Sequence, residues 1–492
     1  DYVEKPKSLY YQIERTKTAA CVGSVRADGN ILSGKGVIVG VIDTGIDIFD
    51  NAFRNSDGTT RILNIYDQTT GEKYDKQSID EYIRLNEDLS GGTFSYDNAP
   101  GVDNIMHGTD VSYIAAGSLG VAYEADIIAV KMGYSINNQF PRTTSLMDAI
   151  DYIIRKAIEY RKPVAVNISY GCNYGAHNGN TLLESFIDDI SKSYRCVICV
   201  GSGNEADKAI HFGGIINTGQ VQTAYLSVGE YQSAIDIQIW KNYWDTIDVM
   251  LINPRGEQIG IITEGRINRY ETYNTEIITL LGEPSPYNIY QEIYINLIPK
   301  TDYILSGIWQ IVLMAGSIRA GEYNIWLPSS QALGYATAFN NPTADGTITI
   351  PATARNCIAV GAYNAYTNSY AAFSGRGFDN SIRNVNAGVK PDITAPGVDI
   401  SIARQRGNDI TYRNVTGTSY AVPVVTGAAA LLMQWGIVMG NDRFMYGEKL
   451  KAALIDGSKP VGLVGITRND NQPDPRTGWG AVCLKNTLNK IL

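Results

Sequence analysis

The feature that most restricts the fold of this chain is the run Gly36-Val-Ile-Val-Gly-Val-Ile-Asp43. It is apolar at every position rather than at every second one. A strand of that kind must be buried on both faces, as in a parallel sheet covered by helices. The pattern returns at 125–130, 164–169, 196–200 and 357–361. Between these runs lie segments of helical period. Residues 144–160 place Leu146, Ile150, Ile153, Ile154 and Ala157 on one face, with 143–145 expected to cap the helix. Residues 182–193 repeat this with Leu183, Phe186, Ile187 and Ile190. Strand and helix in alternation predict an α/β fold with a doubly wound parallel sheet.

Residues 207–340 break the rhythm. Ile235-Asp-Ile-Gln-Ile-Trp240 alternates strictly, as do parts of 290–298 and 308–313. The turn signals Asn253-Pro-Arg-Gly256, Gly282-Glu-Pro284 and Arg319-Ala-Gly321 punctuate the region. Short alternating strands with regular turns predict a β-sandwich. The α/β pattern resumes after Pro351, so the sandwich is read as an insertion. The expected division is 1–206 for the first part of the α/β domain, 207–340 for the insert and 341–492 for the second part.

Composition adds exclusions. A net charge of −9 argues against a nucleic-acid surface, which needs clustered Lys and Arg. The 32 Tyr against 10 Phe point to many half-exposed ring positions, since Tyr keeps a hydroxyl for water. The longest continuous apolar runs resemble Gly427-Ala-Ala-Ala-Leu-Leu-Met433, far short of the roughly 18 residues of a membrane span, so no membrane partner is expected. Six cysteines are too sparse for a disulfide scaffold. The C-x-x-C of Cys196 and Cys199 lies in a β-branched apolar run and reads as buried strand rather than a metal or redox site. His177 and His211 read as surface loop residues.

Three segments carry chemistry. In Val41-Ile-Asp-Thr-Gly-Ile-Asp47 a carboxylate ends a buried strand, where sites form in α/β sheets. In Met106-His-Gly-Thr-Asp-Val-Ser-Tyr-Ile-Ala-Ala-Gly117 a histidine opens an apolar helix. In Gly417-Thr-Ser-Tyr-Ala-Val-Pro423 a serine sits at the start of another. A serine hydroxyl is a weak nucleophile until a base takes its proton. Imidazole is the base whose ordinary pKa lies near neutrality, and a buried carboxylate fixes its tautomer. A helix N-terminus adds free N–H groups where an oxyanion would form.

These segments resemble the subtilisin-like serine peptidases, or subtilases. The chain order Asp, His, Ser is the subtilisin order. Asn167-Ile-Ser-Tyr-Gly171 resembles the family's substrate-binding strand and Gly201-Ser-Gly-Asn-Glu205 its oxyanion loop. Pro351-Ala-Thr-Ala-Arg-Asn-Cys357, Phe373-Ser-Gly375 and Lys390-Pro-Asp-Ile-Thr-Ala-Pro-Gly397 fit its later core. The resemblance implies Ser419 as nucleophile, His107 as general base, Asp43 as its orienting partner and Asn204 as oxyanion donor beside the Ser419 N–H. It implies that Ser169, Tyr170, Gly171, Gly201, Ser202 and Gly203 line the substrate site. The implied partners are a polypeptide substrate and the chain's own N-terminal prodomain. No cofactor is expected, with calcium on Asp47, Asp50 or Asp67 as the one open possibility. Two departures stand out. Asp110 replaces a common second histidine, and an inward Asp needs a hydrogen-bond partner. Tyr420 follows the nucleophile where Met is common, which removes an oxidisable thioether.

The 147 or so residues between Asn204 and Pro351 exceed any core loop. This layout resembles the clostridial Csp-type subtilases, with their jelly-roll insert and their role in processing a spore-cortex hydrolase precursor. Arg61-Ile-Leu-Asn-Ile-Tyr-Asp-Gln68, Ser306-Gly-Ile-Trp-Gln-Ile311 and Gly321-Glu-Tyr-Asn-Ile-Trp-Leu327 carry that resemblance, and Tyr2-Val-Glu-Lys-Pro-Lys7 resembles a prodomain junction. With no initiator Met, the chain is expected to be the matured form of a secreted or spore-associated protein of a Gram-positive bacterium. The insert is expected to rigidify the catalytic core rather than bind sugar. A catalytically inactive regulator, an adhesion module and a broad-specificity extracellular or gut protease stand as alternatives.

Overall fold

The computed structural model describes residues 12–23, 25–27, 29–90, 99–133, 141–262, 267–378, 388–406, 409–462 and 473–492. The segment 2–7, read as a prodomain junction, lies outside them.

The fully apolar runs become the centre of a nine-stranded sheet. Its order is Ser369–Tyr370, Ile358–Asn364, Cys196–Gly201, Val164–Ile168, Ile38–Asp43, Asp126–Lys131, Ile62–Asp67 and Lys73–Asp75, with Ile393–Pro396 also pairing to Ile358–Asn364. The central pairings are parallel, and the flanking pairings of Lys73–Asp75 and Ser369–Tyr370 are antiparallel. Strand side chains divide between two cores as the pleat requires. Ile38, Ile42, Val166 and Ile198 meet the helices Thr143–Tyr160 and Leu182–Ser193 on one face. Val39, Val41, Ala165 and Val197 meet the helices His107–Ala116 and Thr418–Met433 on the other.

The helix Leu182–Ser193 starts with a capping box, Thr181 to Glu184, which the sequence reading did not single out. The helix Thr143–Tyr160 has Arg142 at its cap position and no side-chain cap bond, so the cap expected at 143–145 does not form. Residues 418–438 form one apolar helical stretch long enough by composition to cross a membrane, and 89% of its most apolar window is buried in the fold.

The alternating strands build two antiparallel sheets. One has the order Gln258–Ile261, Ile247–Ile252, Gly307–Ala315, Val221–Val228, Ala338–Phe339. The other runs Ile267–Glu271, Thr275–Leu281, Tyr290–Pro299, Ile235–Asn242, Glu322–Trp326, His211–Ile215. Their inner faces share one core, with Ile235, Ile237 and Ile239 of one sheet against Trp309, Ile311 and Leu313 of the other. The two sheets therefore pack as a sandwich.

His177 and His211 are not on the surface; both are buried. The His177 ring stacks at 4.1 Å on Trp326, and His211 stacks on the same indole at 4.9 Å. The indole N–H donates to the Gly346 carbonyl at 2.9 Å. A polar residue type reads as exposed until tertiary packing supplies the partners that satisfy it. Two cysteines are paired: Cys21 and Cys483 form a disulfide across 462 residues of sequence. Cys196 and Cys199 are buried and free, and burial pushes both thiols up to about 12.

Candidate active site

The strand Ile38–Asp43 ends on a carboxylate that is 1% exposed. Its Oδ1 accepts the Thr44 N–H at 2.8 Å. The helix His107–Ala116 starts directly against it. A Cβ on Gly108 would lie 2.3 Å from the Gly45 carbonyl oxygen and 2.9 Å from Asp43 Cβ, so only glycine lets the helix approach this closely. The Gly108 N–H donates to Thr44 Oγ1 at 2.9 Å. His107 Nδ1 then stands 2.6 Å from Asp43 Oδ1.

Asp103 builds the turn into this helix, a role the sequence reading missed. Its Oδ1 accepts from Thr44 Oγ1, Ile105 N and Met106 N at 2.8, 3.2 and 2.7 Å. Its Oδ2 accepts from Thr109 N and Thr109 Oγ1, both at 2.8 Å. These bonds hold Met106 in the left-handed region at φ 67°, an uncommon conformation for a non-glycine residue that recurs at functional sites. An Asp shortly before a helix start is the available signal, although here it caps from four residues upstream of His107. Burial disfavours the His107 imidazolium, but the charge and hydrogen bond of Asp43 and the charge of Asp103 together outweigh it, and the pKa lies above its ordinary 6.5.

The helix Thr418–Met433 begins after Gly417, whose φ of 153° favours glycine. Asn204 Oδ1 accepts from Thr418 N at 2.9 Å and from Thr418 Oγ1 at 3.1 Å. A Cβ on Gly417 would lie 3.5 Å from Asn204 Nδ2 and 3.8 Å from Ser419 N. Two donors thus border one small space that the missing side chain leaves open. Ser169 Oγ donates to the Ser419 carbonyl at 3.4 Å and accepts from Asn167 Nδ2 at 3.0 Å, joining the end of the strand Val164–Ile168 to the serine helix.

The two walls expected around a substrate meet at Thr349. A Cβ on Gly171 would lie 2.5 Å from Thr349 Oγ1, and one on Gly203 would lie 2.5 Å from Thr349 Cγ2. Thr349 N donates to the Ser202 carbonyl at 3.0 Å, and the Ser202 N–H donates to Val360 at 2.9 Å. Gly201 ends the strand Cys196–Gly201, and Tyr170 packs half-buried against the core beneath the helix Thr143–Tyr160. Glu205, next to Asn204, accepts from Ser329 Oγ, Ser330 N and Ser330 Oγ at 3.0, 3.1 and 3.2 Å. Asp110 finds its partners in Arg404 and Arg413.

Asp47, Asp50 and Asp67 are engaged separately. Asp47 accepts from Phe49 N, Asp50 from Ala52 N, and Asp67 from Thr69 N while pairing with Lys131 at 3.3 Å. Among the described residues, no three His, Cys, Asp or Glu gather as a ligand set.

Residues 34–285 and 320–480 match the subtilase family. Among solved structures the chain is similar to the CspB protease of Clostridium perfringens, at 34% identity and a TM-score of 0.86 over 96% of each chain. It is 38% identical over 107 residues to subtilisin E of Bacillus subtilis, 21% of this chain and 24% of that one. It is 33% identical over 128 residues to the subtilase-type proteinase RRT12 of Saccharomyces cerevisiae, 25% of this chain and 23% of that one. The matched segments thus span about a quarter of these curated relatives. With the family pattern running through most of its length, interrupted only within the β-sandwich, the chain belongs to the subtilase family of peptidases.

Proposed function

We propose that this chain is a serine endopeptidase in which Ser419 is the nucleophile, His107 the general base and acid, and Asp43 the orienting carboxylate. The observation that carries the proposal is the 2.6 Å contact of His107 Nδ1 with buried Asp43. It leaves Nε2 as the nitrogen able to accept the Ser419 proton. Attack of Ser419 Oγ on a peptide carbonyl, its proton passing to His107 Nε2, forms a tetrahedral adduct whose oxyanion has Asn204 Nδ2 and the Ser419 N–H as donors. The C–N bond breaks as the carbonyl re-forms, leaving the acyl group as an ester on Ser419. His107 then gives the proton to the departing amine, and water repeats the cycle to release the acid. The segments 169–171 and 201–203 hold the acyl side, the former as an added strand. A fluorophosphonate reagent should label Ser419 in the folded protein and fail on Ser419→Ala, read by intact mass. A folded wild type that stays unlabelled would overturn the proposal and favour the inactive regulator.

The physiological reading is processing of a spore-cortex hydrolase precursor after removal of an N-terminal prodomain, outside the cell or in the spore. Its support is the likeness to the CspB protease along 96% of the chain. A single cut in such a precursor is the expected result; many fragments would favour the broad-specificity protease.

A further inference from the structure

We propose that Arg413 makes this chain select acidic residues on the leaving-group side of the scissile bond. The inference rests on the serine-peptidase reading of Ser419 and His107.

Asp110 lies in the first turn of the His107 helix and is fully buried. Two arginines of the hairpin Ile400–Arg406 and Asp409–Val415 converge on it, Arg404 on Oδ1 and Arg413 on Oδ2. Arg404 also donates to the Met106 carbonyl at 3.0 Å, so its fork is spent on the base of the helix. One carboxylate neutralises only one of two guanidiniums. The other charges that bear on the imidazole, Asp43 and Asp103, are 1% and 4% exposed and serve His107 and its turn. Arg404 is 12% exposed, whereas the Arg413 side chain is 42% exposed. The charge that an incoming chain meets beside His107 is therefore a cation.

The direction follows from the chemistry. His107 returns its proton to the departing amine, so the leaving peptide must start beside the imidazole. The acyl side lies across Ser419, between 169–171 and 201–203. Tyr420 lines the imidazole side, its ring 5.2 Å from the His107 ring. Arg413 is held beside the first turn of the His107 helix by its ion pair with Asp110, and its charge acts on both the Tyr420 hydroxyl and the His107 ring. A guanidinium carries five N–H donors in a fork, so bonding one Asp110 oxygen leaves donors for a substrate carboxylate.

The test uses peptides identical on the acyl side, with Glu, Gln or Lys as the first or second leaving-side residue. Wild type should favour Glu over Gln by about tenfold in kcat/KM, the size of one half-exposed charge-assisted hydrogen bond, and disfavour Lys. Arg413→Gln should collapse the Glu/Gln ratio, and Arg413→Glu should invert the order toward Lys. Because each ratio is measured within one enzyme, a general loss of activity does not mimic the result. A wild type without acid preference, or a preference unchanged in Arg413→Glu, would overturn the inference. An ester lacking any leaving-side residue and fluorophosphonate labelling read the peptidase chemistry separately. If wild type handles both and shows no acid preference, only the inference falls. If a folded wild type is silent to both, the peptidase reading falls and the inference with it.

Discussion

At the scale of single residues, the site is a problem in holding one imidazole. Asp43 fixes one nitrogen, and Asp103 fixes the backbone that delivers the ring by accepting from five donors. The same carboxylate adds charge that favours the imidazolium. In the proposed mechanism His107 must be neutral to accept the Ser419 proton, so kcat/KM should fall as pH drops through the raised His107 pKa, with a midpoint above 6.5 in the free enzyme. Asp103→Asn removes a negative charge and should move that acid limb to lower pH. The amide offers one acceptor oxygen where two are used, so the variant should also lose about 1–3 kcal/mol of stability from donors left unpaired. A pH profile measured on the variant at a temperature where it stays folded separates the two effects. An acid limb that does not move would show that Asp103 acts on the turn alone.

At the scale of elements, the β-sandwich is hydrogen-bonded to the segments that follow the strands Val164–Ile168 and Cys196–Gly201 rather than merely attached to the core. Glu205 ties the residue beside Asn204 to Ser329 and Ser330. Gly175 N donates to Gln238 Oε1 at 2.8 Å, and Tyr174 and Tyr294 both donate to Asp236. The deepest bond of this seam is the stack of His177 on Trp326. Burial there disfavours the charged ring and lowers the His177 pKa to about 4, even though Ile348 and Asn173 carbonyls lie against its nitrogens. The unfolded chain takes up a proton near pH 6.5 while the native one does not until about 4. Between those values the unfolded state binds more protons, so stability is full above pH 6.5 and falls as pH drops toward 4. The total loss from this group is about 3 kcal/mol. Denaturant midpoints at pH 7.5 and 4.5, compared with those of His177→Gln, isolate it from carboxylates that titrate in the same range. The variant should lose less stability on acidification than wild type. An equal loss in both would remove His177 as the cause.

At the scale of the whole molecule, what was legible in the sequence follows from how local each constraint is. The strands at 36–43, 164–168 and 196–201 were legible because burial on both faces forces an apolar residue at every position. Asp43, His107 and Ser419 can be singled out in the sequence because few residue types can do that chemistry, and the structure brings the first two to 2.6 Å. The strand Ile62–Asp67 was not read as one, since Asn64 and Asp67 interrupt its run. The partners of Asp110 lie 294 residues away at Arg404, and no spacing rule reaches that far. The same holds for Cys21 and Cys483, which join the two ends of the described fold. Around that disulfide, the Ala19 carbonyl accepts from Lys459 Nζ at 2.6 Å and the Ala20 carbonyl from Leu484 N at 3.2 Å, while Ala20 and Val22 enter the core beneath the serine helix. A crosslink that closes so long a loop restricts the unfolded chain, and removing it from a folded domain typically costs about 2–4 kcal/mol. Cys172, Cys196, Cys199 and Cys357 are free, so a mild reductant has only this bond to break among the described residues. Reductant should therefore lower the denaturant midpoint of wild type. It should leave unchanged that of the double variant Cys21→Ser, Cys483→Ser, which already unfolds at the reduced protein's midpoint. A wild type whose midpoint ignores reductant while thiol counting shows the bond open would mean that the contacts of Ala19, Ala20 and Val22 hold the ends together without it.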